Sequence, residues 1–232
     1  MREIVFDTET TGMDPFAGDK IVEIGAVELV NHLPTGKTLQ LYINPEREVP
    51  AEAIAVHGIT NEFLADKPVF SQVYTEFVDF IGTDSKLVAH NAAFDMKFIN
   101  YELELVGHKA IPDNRVIDSL VMARRKFPGS PANLDALCRR FEIDNTERTY
   151  HGALLDSELL AEVYLELLGG RQRGLGLADD SAKKKSDTQN ASAIERPFRE
   201  PRPHSASDEE LAAHSEFLKE LKDPLWEKIK RA

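Results

Sequence analysis

Three runs near the N-terminus, REIVFDTE, KIVEIGAVELVN and GKTLQLYINP, are rich in β-branched and apolar residues and are separated by turn formers, which predicts three strands. Their succession suggests an antiparallel meander. The period then changes. Phe70, Val73, Phe77 and Ile81 recur at the three- and four-residue spacing of a helix with one apolar stripe. KLVAH reads as a short strand, followed by a helix that carries Phe94, Phe98, Tyr101 and Leu105. VIDS reads as another short strand, and helices follow through NLDALCRRF and from about Gly152 to Leu168, where Gly169-Gly170 supplies a stop. A meander followed by strand–helix alternation predicts an α/β fold, in which parallel strands extend an antiparallel sheet flanked by helices.

Residues 1–170 therefore form the expected folded domain. Between Asp179 and Ala206 the large apolar residues are only Ile194 and Phe198, too few to offset the entropy of ordering, so 179–206 is expected to be a flexible linker. In residues 207–232 order is expected to return. Ser207-Asp208-Glu209-Glu210 is a capping box, and Leu211, His214, Leu218, Leu221 and Leu225 follow it at helical spacing, with Pro224 as an interruption. A short amphipathic helix of this kind packs on something, either the domain before it or a partner.

Charge sharpens the picture. The net charge is −12, yet residues 171–232 hold 13 basic and 12 acidic residues, so residues 1–170 carry the excess, 15 basic against 28 acidic. A protein that grips duplex DNA by itself shows a basic footprint, and this domain shows the reverse. A nucleic-acid substrate would have to be met through bound cations, a local basic groove or a partner. The single cysteine, Cys138, excludes an intrachain disulfide, no apolar run approaches a membrane span, and the N-terminal residues lack a signal-peptide pattern. A cytoplasmic protein is expected.

The acidic residues include four in unusual places. Asp7 and Glu9 lie two apart at the end of an apolar strand and so project to one face, where their charges repel. A strand fraying into solvent would tolerate them, and a divalent cation would require them. Asp95 falls in the first turn of its helix, a position the helix dipole favours in any case. Asp156, Leu160, Val163 and Leu167 form the core-facing stripe of the last long helix, opposite Glu158, Glu162 and Glu166. An unpaired carboxylate heading that stripe needs a cation, a hydrogen-bonding partner or a metal. An oxygen-rich set of this kind suits two divalent cations, Mg²⁺ or Mn²⁺, rather than zinc. Two such ions roughly 3.5–4 Å apart can clamp the attacking and leaving oxygens of a phosphodiester.

FDTETTG, HNAAFD and HGALLD, in this order, resemble the three exonuclease motifs of the DEDD superfamily. The third resembles that of the His subclass, since the Tyr subclass would place a tyrosine where this chain has Gly152. The similarity continues through VEIGAVELVN, PAEAIAVHGIT and NLDALCRRFEID, and within the superfamily it is greatest to the proofreading subunits of bacterial replicative polymerases, the DNA polymerase III epsilon family. The resemblance implies a ribonuclease-H-like fold and a 3′→5′ exonuclease acting on a single-stranded or frayed 3′ end of DNA. By the same resemblance Asp7, Glu9, Asp95 and Asp156 hold the metals, Asp7 bridging both, and His151 takes the proton from the attacking water. Asp7, Thr8, Glu9, Glu52, His57 and Asp156 would meet the substrate, although Glu52 is equally a helix N-terminal acid.

The tail carries its own resemblances. In residues 171–178, Gln172, Leu175 and Leu177 are similar to the short peptides that dock on the sliding clamp, and ordinary linker sequence is the competing reading. The terminal segment is similar to the part of the same subunits that binds the polymerase (alpha) subunit, which assigns Leu211, Phe217, Leu218, Leu221, Leu225 and Trp226 to that contact. The family also admits a small accessory, theta-like subunit. Two other functions compete: a free-standing exonuclease trimming small RNAs, for which this tail has no evident use, and an inactive scaffold of the polymerase, against which the complete acidic set argues.

Overall fold

A computed structural model of the chain describes residues 1–146, 148, 150–170 and 205–221. Five strands form one sheet in the order β3-β2-β1-β4-β5: β1 (Arg2–Thr10), β2 (Ile21–Val30), β3 (Leu33–Tyr42), β4 (Lys86–Ala89) and β5 (Val116–Asp118). β1–β2 and β2–β3 pair antiparallel, whereas β1–β4 and β4–β5 pair parallel. This is the predicted meander extended by parallel strands. The β2–β3 hairpin turns on Asn31 and His32, both with positive φ (52° and 67°), the geometry of a two-residue turn that follows strand twist. β3 consequently starts at Leu33, a few residues earlier than its sequence suggests.

The helices are α1 (Ala51–His57), α2 (Asn61–Leu64), α3 (Phe70–Ile81), α4 (Ala92–Leu105), α5 (Ser119–Lys126), α6 (Leu134–Phe141), α7 (Ala153–Leu167) and α8 (Asp208–Glu220). Alternate residues of β1 serve opposite faces of the sheet. Ile4 and Phe6 join Phe77, Ile81, Phe98 and Ile99 of α3 and α4 in one core layer. Val5 joins Val88 of β4 and Leu160, Val163 and Tyr164 of α7 in the other. The sheet is thus sandwiched, and β1 is its centre.

Helices α2 and α5 are absent from the sequence expectations, and α1 enters them only through Glu52 as a helix N-terminal acid. α1 and α2 are below the length at which helices form on their own. α5, SLVMARRK, buries only Ser119 and Ala123, so it shows no apolar stripe, and the Asp118 side chain caps it by accepting from the Leu120 and Val121 N–H groups. In α8 the capping box forms as read: Ser207 Oγ accepts from Glu210 N–H, and the Glu210 carboxylate accepts from Ser207 N–H. α8 ends at Glu220 and Leu221 is extended, so the helix stops before Pro224. Leu211, Phe217 and Leu221 are exposed and Leu218 is half-buried. Gln172, Leu175, Leu177, Leu225, Trp226 and nearly all of the linker lie outside the described residues. Among the described residues no helix is long and apolar enough to cross a membrane.

Candidate metal centre

The site lies where β1 meets the first turns of α4 and α7. Asp7 and Glu9 follow Val5 on the α7 face of β1, while Thr8 faces α4. Asp7 pairs with Gly25 of β2, and the start of α7 packs directly against Gly25. A Cβ added at Gly25 would lie 2.1 Å from backbone atoms of Ala153 and Leu154. Only glycine permits that approach. Glu23 secures it by accepting from the Ala153 N–H at 3.0 Å, and Ser157 Oγ donates to the Gly25 carbonyl at 3.0 Å. One helical turn on from Gly152, Asp156 is brought over β1.

Asp95 arrives from the other side. The chain leaves β4 and enters α4 through Asn91, which is left-handed (φ 67°) and donates its N–H to the Asp118 carboxylate. Asp95 is 2 % exposed, and its Oδ1 accepts from Thr8 N–H at 3.1 Å and from Thr8 Oγ1 at 2.7 Å. Thr8, expected as a substrate contact, thus spends its hydroxyl on orienting Asp95.

Asp7, Glu9, Asp95, His151 and Asp156 line one cavity of about 470 Å³, together with Thr8, His90, Asn91, Phe94, Asn133, Leu134, Asp135 and Arg148. Ligand atoms of Glu9, His151 and Asp156 all lie within 4.8 Å of one another, close enough to share one cation. Asp7 and Asp95 flank that trio. The carboxylates disturb one another strongly. Burial pushes Glu9 up to about 8, helped by the charges of Asp156, Glu23 and Asp95. Burial likewise raises Asp95 to about 7, against the two Thr8 hydrogen bonds. Asp7 is raised by burial and then by Asp95, Glu9 and Asp156. A pocket of mutually repelling, desolvated carboxylates offers hard oxygen donors and surplus negative charge, which fits divalent cations.

One cation is already in the chain. Arg148, whose side chain is 7 % exposed, straddles Asp156: its Nε and its Nη2 donate to the two carboxylate oxygens, the latter at 2.6 Å. Its Nη1 donates to Asp135 Oδ1 at 2.8 Å, and its Nη2 lies 2.9 Å from His151 Nδ1. His151 is half-exposed, with Nδ1 3.5 Å from Asp156 Oδ2, and its backbone N–H donates to the Val56 carbonyl of α1.

A second, more apolar cavity of about 580 Å³ adjoins the first and shares Thr8, Glu9 and Phe94 with it. Glu52 and His57 line it, beside Met13, Pro50 and Val56. His57 is 6 % exposed; its Nδ1 accepts from Ile59 N–H at 3.0 Å, and its buried Nε2 has no hydrogen-bond partner. Glu52 sits exposed in the first turn of α1.

All the expected site residues of the folded domain therefore line one of two adjoining cavities. Arg148, Asp135, Glu23 and Gly25 were not anticipated. For Gly25 a signal existed: an isolated glycine inside a strand pattern marks close backbone approach. For Asp156 the need for a cation or partner was visible, and only the identity of Arg148 was not. Residues 4–164 match the family model described as Exonuclease. The chain is 48 % identical to a protein named DNA polymerase III subunit epsilon from Rickettsia felis, over 95 % of this chain and 97 % of that one. It is 47 % identical to the protein of the same name from Escherichia coli, over 94 % and 92 %. Among solved structures, the nuclease domain of 3′hExo, a DEDDh family member bound to rAMP, is similar with a TM-score of 0.63 at 25 % identity, over 72 % of this chain and 91 % of that one. Exonuclease X in complex with 5′ overhanging duplex DNA is similar with a TM-score of 0.57 at 26 % identity, over 71 % and 90 %.

Proposed function

Because this chain belongs to the Exonuclease family, and within it to the epsilon subunits of DNA polymerase III, we infer that it is a proofreading 3′→5′ exonuclease that removes mismatched nucleotides from DNA. The observation that carries the reading is the cluster of Asp7, Glu9, Asp95 and Asp156 with His151 around one cavity. Divalent-metal dependence belongs to the family, and the oxygen-rich donor set favours Mg²⁺ or Mn²⁺ over zinc. Asp7, Glu9 and Asp156 would hold one ion, and Asp7 with Asp95 the other. Bound there, the pair supplies charge neutralisation and an acidified water.

The remaining chemistry is assigned to the chain. His151, half-exposed at the cavity rim, takes a proton from the water whose oxygen attacks phosphorus. The P–O3′ bond breaks, the leaving oxygen takes a proton from solvent to become the 3′-hydroxyl of the shortened strand, and a 5′-monophosphate is released. Thr8 holds Asp95 in place, so its expected substrate role is confined to the atoms it shows to the cavities. His57 and Glu52, which line the adjoining cavity, are suited to the sugar and terminal phosphate of a nucleotide there. Selectivity for mismatches needs no base reading, because an unpaired terminus frays into the site more readily than a paired one.

Residues 171–178 are proposed to dock on the sliding clamp through Gln172, Leu175 and Leu177. Residues 207–232 are proposed to bind the polymerase subunit through Leu211, Phe217, Leu218, Leu221, Leu225 and Trp226, with 179–206 as the tether. Exposed Leu211 and Phe217 on α8, and Leu221 just after it, support this assignment. The tether raises effective concentration, which suits an acidic domain with little affinity of its own for DNA. Digestion of a 3′-mismatched primer–template by the full chain tests the activity. Mononucleotides released in Mg²⁺ and not in EDTA are expected, and an intact primer in both would contradict it. Truncation after Arg199 should leave this activity unchanged and abolish copurification with the polymerase.

A further inference from the structure

Arg148 stands where the acid cluster would otherwise meet a metal. We propose that it is a positioning residue, a latch that holds Asp156 and His151 in the metal-free enzyme and gives up Asp156 when a divalent cation binds. This rests on the metal-centre reading above.

The geometry sets the guanidinium and a metal in competition for one carboxylate. A planar guanidinium forked across both oxygens of Asp156 occupies directions in which that carboxylate would ligate a metal. Asp156 is also one of the three residues whose donor atoms converge within 4.8 Å. The fork takes one acceptor site on each of those oxygens and sets a positive charge against them, so fork and metal compete for Asp156.

His151 is latched by the same group. For Arg148 Nη2 to donate to Nδ1 across 2.9 Å, Nδ1 must be unprotonated. A neutral ring then carries its proton on Nε2, and neither nitrogen is free to accept another. Once the guanidinium leaves, Nδ1 can carry the proton toward Asp156 Oδ2, 3.5 Å away, and Nε2 becomes the base. Releasing the latch thus makes the ligand and the base available together.

The released charge has a place to go. Asp135 Oδ1 already accepts from Arg148 Nη1 at 2.8 Å and is 48 % exposed, whereas Asp156 is 5 % exposed. The guanidinium can keep Asp135 while letting Asp156 go, so no buried charge is left unpaired.

The test is Mn²⁺ titration of the full chain by calorimetry, with thermal melts in EDTA and in saturating Mn²⁺, for wild type and Arg148→Gln. Removing a competing cation should tighten Mn²⁺ binding about tenfold or more at one site. Arg148→Gln should also lower the Tm in EDTA by several degrees, and most of that deficit should vanish in Mn²⁺. Unchanged or weaker Mn²⁺ binding, or an equal Tm deficit in both buffers, would overturn the latch. Wild type that binds no Mn²⁺ would overturn the metal-centre reading and the latch with it. If Arg148→Gln does not fold in EDTA, Arg148→Lys decides: a single nitrogen cannot present the planar fork, so intermediate tightening is expected, and wild-type affinity would overturn the proposal.

Discussion

β1 presents buried carboxylates at both ends of the same face, and the two ends are built on opposite principles. At the start, Glu3 is fully buried, accepts from the Tyr164 hydroxyl at 2.7 Å and lies 2.8 Å from His32 Nδ1. At the end, Asp7 and Glu9 face Asp95 and Asp156, and among the described residues the cation beside them is Arg148, spent on Asp156. Both ends pack against α7, Tyr164 near its C-terminus and Asp156 in its first turn. Glu28, also buried, shows that burial alone does not decide the outcome: Arg2 and Thr35 hold its carboxyl below the usual range. A carboxylate surrounded by donors is structural. Carboxylates surrounded by carboxylates are destabilised while charged, and that is the mark of the end proposed to hold metals.

The largest effect should come from breaking the acidic end. Glu9→Gln is expected to reduce exonuclease turnover by roughly 10³-fold or more, measured as single-turnover digestion in Mg²⁺. Next is Gly25→Ala, whose methyl cannot fit against Ala153. It should displace α7, lower activity by about tenfold to a hundredfold and destabilise the fold by about 1–3 kcal/mol in urea titrations. At the paired end, Glu3→Gln should reduce stability by about 1.5–3 kcal/mol and leave kcat within about twofold of wild type. A further effect is in pH dependence. Glu9 and Asp95 are raised in the fold to about 8 and about 7, from 4.5 and 3.8. Without metal their contribution to stability is therefore present below about pH 4 and is lost as pH rises toward 8. Urea titrations in EDTA across that window should show a shallower decline for Glu9→Gln than for wild type, and an equal slope would count against the assignment.

Much of this comparison was legible in the sequence, for reasons that can be named. The meander, the parallel strands and the helices over 70–81, 92–105 and 153–167 follow from apolar periodicity, because each element buries one face in a core layer. Asp156 stood out because a carboxylate headed an apolar stripe, and it is indeed buried with a cation. Asp95 did not stand out alone, since a helix-start acid is ordinary, and only the motif order gave it meaning. Glu3 and Asp7 are both acids on one strand face, and nothing local separates them: Tyr164 lies 161 residues from Glu3 in the chain. Arg148 was missed for the same reason. It comes from the irregular stretch before α7, where periodicity carries no information, and its significance lies in what it touches.

The most direct test of the contrast is one set of thermal melts at pH 8, in EDTA and in Mn²⁺, on wild type, Glu9→Gln and Glu3→Gln. If the acidic end is held for cations, Glu9→Gln will melt above wild type in EDTA and lose most of the Mn²⁺ stabilisation, while Glu3→Gln will melt below wild type in both and keep it. Glu9→Gln melting below wild type in EDTA, or responding to Mn²⁺ as wild type does, would contradict the account.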